Sequence, residues 1–242
     1  MKNVIDFHSH ILPGMDDGSA SAEMSIQMLR SSFQKNVGIM AATPHFYAAK
    51  ESPEAFLERR SAAWRLLRDR LPNDVPEIYL GAEVYYYTGI SRTDGLQRLC
   101  IGDTGVILLE MPFRKWSERI IQEVISLARD SDLTILLAHI DRYLSFQASD
   151  TWKLLSKNGV LFQVNASAFL DGWRSRQRAC KLLREDEIAV LGSDCHNTGS
   201  RPQNLDAACE VIIRKFGEEK VNLLMDRAAR LLRTGKHTGG KQ

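Results

Sequence analysis

The chain has 242 residues, 44% hydrophobic and 26% charged, and its 32 Lys and Arg against 30 Asp and Glu leave a formal net charge of +2. That apolar fraction excludes a disordered chain, and the near-neutral balance supplies no field that would select nucleic acid or a membrane surface. No apolar run approaches the ~18 residues of a membrane span, and the N-terminus lacks a signal-peptide core. Four cysteines, Cys100, Cys180, Cys195 and Cys209, form no Cys-x-x-Cys pair and fit a reducing compartment. A cytoplasmic protein is expected.

In chain order, a strand-like run at 3–8 precedes an amphipathic stretch at 22–35, where Met24, Met28 and Leu29 recur at helical spacing behind Ser21 as N-cap. A strand at 37–43, a helix at 53–70 and a strand at 77–83 follow. The region 84–103, with tyrosines at 85, 86 and 87, fits neither period and reads as a long loop or a short irregular element. Strands at 104–110, 133–139, 160–165 and 188–194 then alternate with helices at 117–130, 150–158 and 174–186. Helices at 203–216 and 218–233 close the pattern. Most of these strands are apolar on both faces, as strands covered on both sides are. Seven strand–helix units in alternation predict a parallel α/β architecture in one domain over 1–234. The polar, Gly-rich tail at 235–242 is expected to fray.

Five of the six histidines fall at or just beyond the C-terminal end of a predicted strand: His8, His10, His45, His139 and His196. Glu83, Glu110 and Asp194 take equivalent places, and Asp16 and Asp17 lie in the first strand–helix loop. In a parallel α/β barrel these ends open into one shared mouth. A lone histidine is usually a hydrogen-bonded structural residue, but imidazoles and carboxylates converging on one mouth compose a metal site, with room for more than one divalent ion.

The stretches IDFHSHILPGMDDGS (5–19), ATPHFY (42–47), LGAEVY (80–85), ILLEMPF (107–113), AHIDRY (138–143) and GSDCHNTGSRP (192–202) carry a resemblance over nearly the whole chain. They resemble the polymerase-and-histidinol-phosphatase (PHP) superfamily, and within it the bacterial capsule-type, metal-dependent protein-tyrosine phosphatases. The resemblance implies a distorted seven-stranded (β/α)7 barrel, similar to a TIM barrel, with three divalent metal ions. Manganese is the implied metal, with iron, zinc and cobalt open on the same nitrogen and oxygen donors. One ion would take His8, His10, Glu83 and Asp194. Glu83 would bridge to a second, held also by Glu110 and His139, and the third would take Asp17, His45 and His196, with Asp16 ranking behind Asp17. Arg142 and Arg201 match the family's phosphate-binding arginines.

The implied activity is hydrolysis of phosphotyrosine by a metal-activated hydroxide. The implied substrate is a protein, the tyrosine-rich tail of a membrane-anchored bacterial kinase of polysaccharide biosynthesis, with no nucleic acid and no membrane insertion. A small-molecule phosphomonoesterase of the histidinol-phosphatase type is the alternative, and a non-catalytic metal-binding module the third reading. Where relatives read His-Pro-Glu-Arg-Tyr, this chain has His139-Ile140-Asp141-Arg142-Tyr143, and QVNASAFLDGW (163–173) also departs from the family. Cys195 stands where a small residue is usual. With Arg201 it makes a Cys-x5-Arg pattern, the mark of thiol-dependent tyrosine phosphatases, which would need a low-pKa thiolate.

Overall fold

The computed structural model describes residues 4–233, so the tail expected at 235–242 lies outside the described residues. The first strand, β1 (Val4–Ser9), leads into helix α1 (Ala22–Gln34), whose entry is fixed by Ser21 accepting the Met24 N–H. Strands β2 (Val37–Ala42) and β3 (His45–Phe46) follow, then α2 (Pro53–Arg68), which starts at a Ser52 cap with proline in its first turn. Next come β4 (Glu77–Leu80), β5 (Glu83–Tyr85), β6 (Val106–Glu110) and α3 (Glu118–Asp130), the last capped by Ser117. The chain continues through β7 (Thr134–Leu137), α4 (Ser149–Lys157), β8 (Leu161–Asn165), the short α5 (Ser167–Leu170) and α6 (Trp173–Arg184). Strand β9 (Val190–Gly192) and helices α7 (Leu205–Phe216) and α8 (Glu218–Leu231) complete it. No helix among the described residues is long and apolar enough to cross a membrane.

Every strand pair is parallel, in a three-stranded ladder β1-β2-β4 and a six-stranded ladder β3-β5-β6-β7-β8-β9. The two ladders meet where Asp194 N–H donates to His8 C=O (2.8 Å) and His10 N–H to Cys195 C=O (2.9 Å). The result is a mixed α/β fold on a curled parallel sheet. Seven unbroken strands were expected, whereas nine strand segments are found among the described residues. Pro44, which has no N–H to give, separates β2 from β3, and Gly81-Ala82 separates β4 from β5. Pairing persists across the breaks, with Gly81 N–H on Ala42 C=O (2.8 Å) and Glu83 N–H on Pro44 C=O (3.0 Å).

Strand β6 is buried along its whole length, and Phe7, Met40, Phe46 and Tyr143 are among the largest fully buried side chains of the core. The region 84–103 is a packed element of two 3-10 turns, Ile90–Arg92 and Leu96–Leu99. Its Ile90, Leu96 and Leu99 are buried, and Glu123 of α3 holds it by accepting from Tyr86 Oη and Gly89 N, both at 2.6 Å.

Candidate metal centre

Alternation along β1 turns Asp6, His8 and, past its end, His10 toward the sheet interior, and all three are fully buried. The loop after β1 folds back tightly: a Cβ on Gly18 would stand 2.3 Å from His10 O, so only glycine fits there. That return brings Asp16 to 2.7 Å from His10 Nδ1, while its other contacts are the amides of His45 and Gly18, both at 2.9 Å. Burial opposes charge on Asp16, yet the His10 hydrogen bond and the two amides hold its carboxyl well below the usual range. An Nδ1–H donated to Asp16 leaves the His10 Nε2 lone pair facing the interior, as carboxylate-oriented metal ligands do.

Glu83, at the start of β5, sits among four imidazoles. Its Oε2 lies 3.2 Å from His8 Nε2, 3.3 Å from His10 Nε2 and 3.0 Å from His45 Nδ1, and its Oε1 lies 2.9 Å from His139 Nε2. Burial works against its ionisation, but the neighbouring imidazoles hold its pKa well below the ordinary value. Glu110 is 3.6 Å from His45 and 3.7 Å from His139, and burial with the charge of Glu83 lifts it to about 7. Asp17 reaches His45 Nε2 at 3.6 Å and His196 Nε2 at 3.4 Å. Burial and the charge of His10 lower His196 to about 4.

Asp194 faces the other side of the group, its Oδ1 at 3.6 Å from His8 and 3.4 Å from His10. Asp194 (φ +55°) and His139 (φ +32°) both hold left-handed backbone conformations that non-glycine residues seldom adopt. Such strain persists where surrounding contacts over-determine it. Here the His139 N–H donates to Gln163 Oε1 at 2.6 Å, and Asn165 Nδ2 donates to Asp194 Oδ2 at 3.0 Å.

All nine predicted ligands therefore meet in one place. Donor atoms gather within 4.8 Å of one another in three sets: His10, Asp17, His45 and His196; His8, His10 and Asp194; His45, Glu83 and Glu110. His139 stands outside these sets and joins through Glu83. Buried Glu83 Oε2, Glu110 Oε2, His45 Nδ1, His139 Nδ1 and His196 Nε2 make no hydrogen bond of good geometry, the 3.0 Å approach of Glu83 Oε2 to His45 Nδ1 included. Each such atom costs ~1–3 kcal/mol when left unsatisfied, and their grouping suits cations that take several donors at once. The donor set fits divalent metal.

Both predicted arginines reach the same carboxylate: Arg142 donates to Asp194 Oδ2, and Arg201 Nη2 to Asp194 Oδ1 at 3.0 Å. The altered loop still delivers Arg142, because Ile140 is buried and Asp141 accepts the Asn165 N–H at 2.9 Å. Cys195 is 1% exposed, and burial pushes its thiol up to about 12, which leaves no thiolate for the Cys-x5-Arg chemistry.

Sequence reasoning missed the layer behind these residues. Gln163 accepts at Oε1 from His139 N, has His8 Nδ1 at 3.3 Å, and donates to Asn165 Oδ1 at 2.9 Å. Two amide side chains spaced i, i+2 in an otherwise apolar strand were the available signal.

The chain matches the family described as capsular polysaccharide synthesis, CpsB/CapC, over residues 4–233. It is 28% identical to the tyrosine-protein phosphatase CpsB of Streptococcus agalactiae serotype III (strain NEM316), covering 91% of this chain and 94% of that protein. It is also 28% identical to the tyrosine-protein phosphatase YwqE of Bacillus subtilis (strain 168), covering 95% and 92%. A solved structure described among YwqE from Bacillus subtilis and CpsB from Streptococcus pneumoniae, "unique metal-dependent tyrosine phosphatases", superposes with a TM-score of 0.81 at 26% identity, over 96% of this chain and 95% of that one. The fold is shared more distantly with a histidinol phosphate phosphatase of Lactococcus lactis, at a TM-score of 0.51 and 14% identity over 88% and 93%. With its match running through every strand that builds the centre, the chain belongs to the CpsB/CapC family of capsular polysaccharide synthesis.

Proposed function

We propose that the protein is a metal-dependent phosphotyrosine phosphatase acting on a protein substrate in the cytoplasm. The observation that carries this reading is the convergence of five imidazoles and four carboxylates on one mouth, with two guanidinium groups at its edge. The substrate, on this reading, is the tyrosine-rich tail of a kinase of polysaccharide biosynthesis. It meets a single domain in which β2 with β3, and β4 with β5, each count as one interrupted strand, giving seven around a closed barrel.

Three divalent ions, manganese first, would be held by His8, His10, Glu83 and Asp194; by Glu83, Glu110 and His139; and by Asp17, His45 and His196. Such ions supply a water acidic enough to attack at neutral pH and positive charge to offset that of the phosphoryl oxygens. The protein does the rest. Arg142 and Arg201 present planar donor forks to the non-bridging oxygens, and Asp194, shared between them, keeps both turned into the mouth. Asp16 and Gln163 fix the imidazoles of His10 and His8, so their inward nitrogens need no reorganisation when charge develops.

The test compares a phosphotyrosyl peptide with histidinol phosphate, using purified protein with manganese and with chelator. Manganese-dependent release of phosphate from the peptide is expected. Preference for histidinol phosphate would move the protein to the small-molecule reading, and no turnover of either would leave a binding module.

A further inference from the structure

Three aromatic side chains stand beside the same mouth and take no part in holding phosphate or metal. Tyr47, Tyr85 and Phe113 end the ATPHFY, LGAEVY and ILLEMPF stretches, two residues past His45, two past Glu83 and three past Glu110. The Tyr47 ring lies 5.3 Å from that of His45 and 5.5 Å from that of Tyr85. Phe113 stacks on His139, centroids 5.9 Å apart and planes 18° from parallel, with Tyr143 at 5.1 Å.

Tyr47 and Phe113 follow β3 and β6, and Tyr85 is the last residue of β5; the three strands are consecutive in the six-stranded ladder. The arginines follow β7 and β9, farther along it. One arc of the mouth is therefore aromatic and the next is cationic.

Phe113 is the telling member. It is 49% exposed, whereas the neighbouring aromatics Trp116 and Tyr143 are buried. Its loop is pinned on both sides, by Tyr143 Oη accepting the Met111 N–H at 3.1 Å and by Trp116 Nε1 donating to Pro112 C=O at 2.9 Å. A half-exposed apolar ring on a fixed loop beside a catalytic mouth matches the mixture of apolar wall and few polar anchors that ligand sites use.

We propose that Phe113, Tyr47 and Tyr85 line a subsite for the aromatic ring of an aryl phosphate, giving this site a preference for aryl over alkyl phosphate groups. The inference deepens the phosphatase reading and rests on it. In an aryl ester a single oxygen separates phosphorus from the ring, so a phosphate held by Arg142 and Arg201 leaves the ring level with the rim. A flat face then meets flat faces in offset or edge contact. An alkyl chain of equal carbon count offers no such face.

The experiment measures binding of phenylphosphonate and hexylphosphonate, six carbons each, to the manganese-loaded protein by calorimetry. The wild type is expected to prefer phenylphosphonate about three- to tenfold, the size of an aromatic-pair contribution. Phe113→Ala and Phe113→Leu should bring the two ligands within about twofold, and Phe113→Tyr should keep the preference. A role confined to supporting His139 would weaken both ligands by the same factor, and that result overturns the subsite. So does a wild type that binds the two equally or fails to bind phenylphosphonate. Phosphotyrosyl-peptide turnover is scored separately: its absence beside an intact aryl preference sinks the phosphatase reading alone.

Discussion

Asp194 gathers more of the site than any other side chain. One carboxylate meets three imidazoles, two guanidinium groups and the Asn165 amide, from a left-handed backbone position just past β9. The arginines it holds differ from lysine in the one property needed here, a rigid fork that can span two oxygens. Arg142→Lys is expected to lower kcat/KM on a phosphotyrosyl peptide about ten- to a hundredfold, the equivalent of ~1.5–3 kcal/mol for a charge-assisted hydrogen bond. Unchanged kcat/KM would assign the phosphate grip to Arg201 alone. Next to Asp194 the opposite result is expected. Cys195 is 1% exposed, and with its thiol buried and pushed up to about 12 it has no nucleophile to lose. Cys195→Ala should keep most activity, and trapping of a phosphocysteine in the wild type would overturn that expectation.

At the level of elements, the strand ends were legible because β runs buried on both faces are dense in Val, Ile and Leu and stop abruptly at His, Glu or Asp. The break after Ala42 was written less plainly, since Pro44 and His45 lay just past an expected strand end and the two-residue β3 is too short to show a period. The packing of 84–103 could not be read locally: Glu123, which secures it, lies on α3 and arrives only through the fold. Asp16 was weighed as a ligand because sequence gives adjacency; the tight return at Gly18 gives it a hydrogen bond to His10 instead. Helix α8 carries a testable staple of its own. Asp186, at φ +62° before β9, pairs with Arg227 and, at 3.0 Å, with Lys220. The Arg227 hydrogen bond lowers its carboxyl pKa, so its stabilisation is present above the unfolded value near 3.8 and is lost as pH falls through the lower folded one. Asp186→Asn tolerates the left-handed backbone and removes only the charge. Denaturant unfolding should show it less stable by at most ~1 kcal/mol at pH 6, because Asp186 is 49% exposed and screened. The gap should close near pH 2, and a gap that persists there would assign the loss to packing rather than charge.

For the whole molecule, a net charge of +2 conceals a strongly uneven interior. Nine ionisable side chains share one mouth, several with buried atoms that no hydrogen bond serves, so folding without metal carries a desolvation cost that bound cations would relieve. A ligand that binds only the folded chain stabilises it by mass action, ~2.7 kcal/mol at a hundred times its Kd. In a chain of this size each kcal/mol moves the melting temperature about 2–4 °C. Manganese in that excess should therefore raise Tm by roughly 5–10 °C, a readout that needs no turnover, and chelator should reverse it. Imidazole-rich donors favour manganese, iron, cobalt or zinc over calcium, which takes oxygen alone, so calcium should give a far smaller rise. Glu83→Gln, which removes the charge at the middle of four imidazoles, should abolish most of the manganese increment. Asp186→Asn, at the opposite end of β9 from Asp194, should leave it intact. Equal rises with calcium and manganese, or an undiminished rise in Glu83→Gln, would place the stabilising ions elsewhere on the molecule and break the link between this mouth and metal.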